Sequence, residues 1–457
     1  MAESSAPTIL VIFGVTGDLS KRYLLPSLYH LFKQDLLPEK FEIVGLSRRE
    51  ISLDDVFSEL EASDEQLDPA VIQKMRQQCR TFQLDMDDPQ AYNGLREKLD
   101  AIEEEQGLCM NRLYYLAIPP AAYLKTIGAL GSAGLNQSCQ HGEAMTRLLV
   151  EKPFGHDLAS AETLIKDTGE VFGEEQLFRI DHYLAKETAQ NILTFRFENP
   201  LFEAVWSNKY VTSIDIVASE KIGIEGRANF YEEQGALRDF IQNHLLQLLA
   251  IVTMDKPARM DSEAVHAAKL RLLEAVAPIS SAQVATQTKR GQYEGYKDEV
   301  GNAGSHVETY ASISTRIDTD RWHNVPVTVR TGKAMAEKHT TITLTFADDS
   351  TAGTNLLKFR IQPNEGIQLD LTAKKPGYDQ ELQDVAMDFS YHQNFDGAEP
   401  SAYERVLIDA IRGDRTLFAS SEEVLAAWRI VDDVIHAWSA GDDGLATYKP
   451  GSPIDTL

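Results

Sequence analysis

The apolar run at residues 8–14, TILVIFG, opens into a glycine turn, then a helix-spaced stretch at 21–34, then a second apolar run, FEIVGLS, at 41–47. Two short apolar runs joined by an amphipathic helix mark a strand–helix–strand unit whose parallel strands are covered on both faces. The pattern continues: further strands are expected at 80–84, 111–119 and 147–152, and helices at 88–105 and 121–133. A chain patterned this way folds as a Rossmann-like doubly wound parallel sheet, which binds ligands beyond the carboxyl ends of its strands.

The rhythm changes after about Asp181. Residues 235–252 place Leu237, Ile241, Leu245, Leu248 and Val252 at helical spacing. Period-two runs follow, one through Val307, Ala311, Ile313 and Ile317, one through Ile342, Leu344 and Phe346. Two more run through Leu357, Phe359 and Ile361 and through Ile367, Leu369 and Leu371. Such alternation predicts a mainly antiparallel sheet with one packed face. Helices return at 402–411 and 421–438, and the charged stretch 289–304 reads as a surface loop. The 457 residues thus divide into a dinucleotide-binding domain at 1–180 and a larger α+β domain at 181–457, an α/β plus α+β fold.

A formal net charge of −26 argues against nucleic acid or an anionic membrane as partner. No apolar run approaches the roughly 18 residues that span a bilayer. Met1 to Pro7 is small and polar, unlike a signal peptide, so a cytoplasmic location is expected. Cys79, Cys109 and Cys139 are widely spaced and are read as reduced, packed thiols rather than as a disulfide framework or zinc site. A phosphate-bearing ligand would need a local cationic cluster on so acidic a protein.

Gly14, Val15, Thr16, Gly17, Asp18 and Leu19 sit where the first strand meets the first helix. Glycine there lets the backbone approach a pyrophosphate at a helix N-terminus. The usual G-x-G-x-x-G is incomplete, with Thr16 and Leu19 at the second and third glycine places, so a tight turn without ligand stands as the alternative. The second strand ends Ser47-Arg48-Arg49 rather than in the acidic residue that bonds an NAD ribose. Guanidinium groups there suit the 2′-phosphate of NADP.

Four clusters could carry chemistry. His182, Tyr183 and Lys186 offer an imidazole, a phenol and an ammonium to a phosphate dianion. Lys152, before Pro153, closes a parallel strand and points toward the ligand edge. His244 lies on the apolar stripe of the 235–252 helix, where a core role competes with a catalytic one. At 3.6 residues per turn Asp239, five positions earlier, falls about 140° away and is not expected to pair with it. Lys333 and Lys338 bracket a turn after a strand.

The succession GVTGDLSKRYLLPSLYHL, EKPFGHD, RIDHYLAKE, GALRDFIQNHLLQLLAIVTMDKP, VRTGKAM resembles the glucose-6-phosphate dehydrogenase family, as do SAYERVLIDAIRGDRTLF and AAWRI near the end. The likeness runs from about Ile9 to Trp438. It implies oxidation of glucose 6-phosphate at C1 to the phosphogluconolactone, with NADP as cofactor and NAD as a weaker or second one. By the same resemblance Gly14 to Lys21, including Ser20, form the cofactor phosphate loop. Arg48 meets the 2′-phosphate, Tyr123 lies on the cofactor side, and Pro153 follows a cis bond. Lys152 lies near both nicotinamide and sugar, and His182, Tyr183 and Lys186 hold the sugar phosphate. Glu220, Asp239 and Lys333 bond sugar hydroxyls with Lys338 nearby, where some members have Arg. His244 is the general base and Asp181 its orienting carboxylate; no metal is required. The resemblance further implies one cofactor per chain and a homodimer or homotetramer assembled through the second domain. Two rival readings are a glucose–fructose-oxidoreductase-type enzyme, which normally has the full glycine fingerprint, and a non-catalytic NADP sensor. The sensor would be expected to lack His244, Asp181 or Lys152, and all three are present.

Overall fold

The computed structural model describes residues 6–63, 67–138, 144–347, 354–395, 400–441 and 443–457. Most of the polar N-terminal segment, and Cys139, lie outside the described residues. The chain forms two compact units, Met1–Phe154 with Glu162–Ala185 and Pro400–Ser421, and Gly155–Ala161 with Lys186–Glu399 and Glu422–Leu457. A single boundary after residue 180 was expected; instead a late segment returns to the first unit. Helical periodicity shows which face of a helix is apolar but not which core receives it.

The first unit holds β1 (Thr8–Phe13), β2 (Phe41–Ser47), β3 (Cys79–Gln83), β4 (Asn111–Leu116), β5 (Thr146–Val150) and β6 (Leu177–Arg179). They make one parallel sheet in the order β3-β2-β1-β4-β5-β6, the doubly wound topology. β1, β4 and β5 are buried along their whole length, which explains their unbroken apolar reading. Leu10, Ile12, Leu28, Phe32, Ile43, Phe57 and Phe178 pack in one core with Val406, Leu407 and Phe418 of the returning segment. Each such side chain contributes roughly 1.5–3 kcal/mol by leaving water. Arg147 on β5 donates to the carbonyls of Ala410 and Ile411, both at 2.8 Å, and so closes the C-terminus of helix Ala402–Arg412.

The expected helix at 21–34 is not uniform. It starts as a π-turn, Ser20–Leu24, in which Leu25 N–H reaches back five residues to the Ser20 carbonyl, and continues as α-helix Leu25–Lys33. Pro26 has no N–H for the carbonyl four residues before it, and the wider spacing accommodates that gap.

The second unit is built on β7 (Val211–Ser219), β8 (Thr288–Tyr293), β9 (Tyr310–Arg316), β10 (Pro326–Gly332), β11 (His339–Phe346), β12 (Leu356–Gln362), β13 (Gly366–Lys374), β14 (Leu382–Ser390) and β15 (Leu445–Tyr448). Their order is β14-β13-β12-β11-β7-β10-β9-β8-β15. The sheet is mixed, since β7 runs parallel to β10 and β8 to β15 while the other pairs are antiparallel. Leu357, Phe359 and Ile361 are buried on one face as the alternation predicts. Val307 precedes its strand, and Phe346, Leu369 and Leu371 are only half-buried. Residues 289–304 are not a loop: they supply most of β8 and helix Tyr296–Val300. The charged reading of that stretch misled because Arg290 is buried, donating to the carbonyls of Trp438, Gly441 and Asp443.

Cys79 is a free buried thiol, pushed up to about 12 by desolvation first and Glu42 second. Cys109 takes part in a disulfide, which corrects the reading of three reduced thiols. Separation along the chain does not report which residues a fold brings within bonding distance. Among the described residues no helix is long and apolar enough to cross a membrane.

Candidate active site

In the first unit a cleft of about 660 Å³ opens beyond the ends of β1, β2 and β4, where the strand order reverses. Gly14, Thr16 and Gly17 line it, with Ser47, Arg48, Arg49, Met86, Ile118 and Pro119 among the other walls. Gly14 has φ 81°, and a Cβ there would lie 2.5 Å from the Ala117 carbonyl oxygen. Only glycine makes that approach, so the turn is built to expose backbone at the start of the helix. Gly17 N–H closes the turn on the Gly14 carbonyl at 2.9 Å.

The remaining members of the loop have other tasks. Val15 is buried, and Leu19 packs against the core. Ser20 Oγ donates to the Gly14 carbonyl at 2.9 Å, holding the turn from beneath. Asp18 pairs with Arg22, and Lys21 with Glu59 at 2.5 Å. Arg48 is exposed at the cleft wall. Tyr123 is buried and is not among the cleft-lining residues; its hydroxyl donates to the Glu151 carbonyl at 3.2 Å.

Lys152 follows β5 at the ligand edge of the sheet, and the Lys152–Pro153 bond is cis. Asp181 follows β6 and is 3% exposed. Its Oδ1 accepts the N–H groups of Tyr183 at 2.9 Å and Leu184 at 3.4 Å, which shapes the turn carrying His182 and Tyr183. The two rings of that pair lie 5.1 Å apart, with Tyr183 buried.

In the second unit Lys186 immediately precedes helix Glu187–Phe197 and pairs with Glu365 at 3.3 Å. The other oxygen of Glu365 accepts Thr188 N–H at 3.0 Å. Nothing in the linear sequence singled out Glu365; its partner lies 179 residues away by number, 365 − 186.

Lys333, 3% exposed, ion-pairs with Glu220 and lies 3.6 Å from Asp239 Oδ2. Its ammonium also sits over the rings of Tyr231 at 5.5 Å and Phe240 at 5.1 Å, a contact that favours the cation. Thr309 and Tyr448 fix its main chain: Lys333 N–H donates to the Thr309 carbonyl and Tyr448 OH to the Lys333 carbonyl. Lys338 is exposed, just before β11.

Asp239 and His244 lie on Leu237–Leu245, which is a π-helix and not the α-helix the periodicity predicts. Leu246 N–H bonds to the Ile241 carbonyl, five residues back. The wider turn brings Asp239 and His244 closer together around the helix axis than α-helical spacing would. Gly235, at φ 66° and ψ 176°, breaks the chain away from the preceding helix. Buried Glu308 then receives Leu237 N–H at 3.0 Å; burial raises its carboxyl while that bond opposes the rise. His244 is 1% exposed, and its ring lies edge-on to Phe240 at 5.9 Å.

These features define a dinucleotide-binding class of protein whose second unit buries a lysine against two carboxylates, with a buried imidazole on the same helix as one of them. The NAD binding domain of glucose-6-phosphate dehydrogenase matches residues 11–191, and the C-terminal domain of the same enzyme matches residues 193–454. Glucose-6-phosphate 1-dehydrogenase of Chlamydia pneumoniae is 38% identical over 98% of this chain and 92% of its own length. That of Bacillus subtilis is 37% identical over 97% of this chain and 94% of its own. A glucose-6-phosphate dehydrogenase solved in complex with its substrate glucose 6-phosphate superposes with a TM-score of 0.89 at 32% identity, covering 99% of this chain and 96% of that one. The chain belongs to the glucose-6-phosphate dehydrogenase family.

Proposed function

We propose that this chain oxidises β-glucose 6-phosphate at C1 to the 6-phosphogluconolactone, with NADP as the preferred hydride acceptor. The observation that carries the proposal is the buried Lys333 ammonium, paired with Glu220 and 3.6 Å from Asp239, on whose π-helix the buried His244 also lies. Glu220 and Asp239 accept bonds from sugar hydroxyls, and Lys333 donates one while neutralising the pair. His182, Tyr183, Lys186 and Lys338 receive the phosphate. Lys186 exchanges part of its pairing with Glu365 for the phosphate oxygens. His244 takes the C1 hydroxyl proton, as an imidazole can near neutral pH. Lys152 holds sugar and nicotinamide in line.

The turn at Gly14, Thr16 and Gly17 lines the cleft at the start of the first helix, where backbone N–H groups suit a pyrophosphate. Arg48 reads the 2′-phosphate. Bound in this cleft, the dinucleotide supplies the hydride acceptor. The chain works in the cytoplasm as a homodimer or homotetramer. Supporting self-association, cross-strand neighbours Leu369–Met387 and Leu371–Val385 leave an apolar face open, with Met387 64% exposed. The test is the appearance of reduced nicotinamide on adding glucose 6-phosphate with NADP or with NAD. Turnover on free glucose but not on its phosphate would instead support an enzyme of the glucose–fructose-oxidoreductase type.

A further inference from the structure

Glu151 stands one residue before Lys152 and has no part in the chemistry assigned above. Two buried phenols grip it. Tyr115 on β4 donates to its carboxylate Oε1 at 2.5 Å, and Tyr123 of helix Tyr123–Ser132 donates to its main-chain carbonyl at 3.2 Å. Side chain and peptide are thus fixed by different elements immediately before the lysine that closes β5. The residue keeps intermediate exposure while its carboxyl is desolvated. The charged and titratable groups around that carboxyl are Tyr115, Lys152, Asp181, Tyr123 and Tyr403, and Tyr403 stacks on Tyr23 at 5.0 Å. Burial pushes the carboxyl up to about 7; the Tyr115 bond and then Lys152 pull it down, and Asp181 pushes it up. The phenols themselves are held protonated by burial, so Tyr115 remains a donor throughout the working range.

We propose that Glu151 is a positioning residue for Lys152: its ionised carboxylate, oriented by Tyr115, anchors the lysine's charge at the sheet edge, and protonation releases that anchor. The inference rests on the reading that Lys152 meets both sugar and nicotinamide. Its sign follows from the charges. As pH falls through 7 the carboxyl becomes neutral, one negative charge beside Lys152 is lost, and kcat/KM falls. The Tyr115 hydrogen bond favours the ionised form, so removing it moves the acid limb to higher pH.

The experiment is the pH profile of kcat/KM for the wild-type chain, Tyr115→Phe, Glu151→Gln and the double variant, with glucose 6-phosphate and NADP. Tyr115→Phe is expected to move the acid limb upward by about one pH unit. Glu151→Gln is expected to lower kcat/KM about tenfold, the scale of one charge-assisted bond, and to make the limb indifferent to Tyr115→Phe. Glu151→Asp should recover part of the loss, and circular dichroism reports whether each variant is folded. A limb that stays put in Tyr115→Phe, or moves equally in both backgrounds, overturns the role of Glu151 alone. Absence of turnover by the wild-type chain at every pH overturns the dehydrogenase reading, and this inference with it. Should Glu151→Gln fail to fold, the Tyr115→Phe limb still decides.

Discussion

His244 and Lys186 are the residues through which proton removal and phosphate recognition separate. His244→Asn keeps a smaller hydrogen-bonding side chain but cannot take a proton. It is expected to cut kcat by about a hundredfold with little change in KM, read from steady-state turnover; an unchanged kcat removes His244 from the chemistry. Lys186→Ala is expected to raise KM for glucose 6-phosphate about tenfold or more, since a charge-assisted contact from a half-buried lysine is lost. Activity on unphosphorylated glucose should stay nearly unaltered, and equal losses on both sugars would contradict the phosphate role. At this scale the sequence is informative wherever the chemistry is contiguous. His182, Tyr183 and Lys186 lie within five residues, and Arg48 directly follows a legible strand. It is silent where partners are remote. Glu365 against Lys186 and the ring of Tyr231 under Lys333 arise only from the folded second sheet.

Two elements set the geometry of the proposed chemistry, and each departs from regular periodicity. The glycine turn lacks two of the three usual glycines, yet the one at residue 14 is the one the fold demands, because of its φ of 81° and its contact with the Ala117 carbonyl. Gly14→Ala is expected to destabilise the first unit by about 1–3 kcal/mol, the cost of a strained backbone position, and to weaken dinucleotide binding. Calorimetry and a fluorescence titration with NADP check both, and an unchanged pair of values would mean that the turn does not approach the cofactor. The second element is Leu237–Leu245. Its apolar residues fit an α-helix well enough that the wider π-spacing could not be read from them, so the α-helical angle between Asp239 and His244 does not carry over to the folded segment. One visible signal was Gly235, whose left-handed φ interrupts the preceding helix; the side chain that profits, Glu308, lies far along the chain.

For the whole molecule, the two sheets were legible as classes because burial on both faces and burial on one face write different patterns. Their exact composition was not, since the returning segment Pro400–Ser421 and the strand containing Arg290 depend on which core accepts them. The open apolar face of β13 and β14 is a further whole-molecule property: the alternation of Leu369 and Leu371 predicts a packed face, yet the chain itself leaves it half-covered. Met387→Glu, placing a charge at its centre, is expected to shift the protein to a smaller species in light scattering after size exclusion. An unchanged mass would place the subunit contact elsewhere. The central claim concerns the complete chain, that hydrogen passes directly from the sugar's C1 to the nicotinamide. Turnover of glucose 6-phosphate deuterated at C1, followed by mass spectrometry of the reduced dinucleotide, tests it most directly. The account predicts one deuterium in every reduced nicotinamide formed; deuterium lost to water or retained in the sugar product would contradict it.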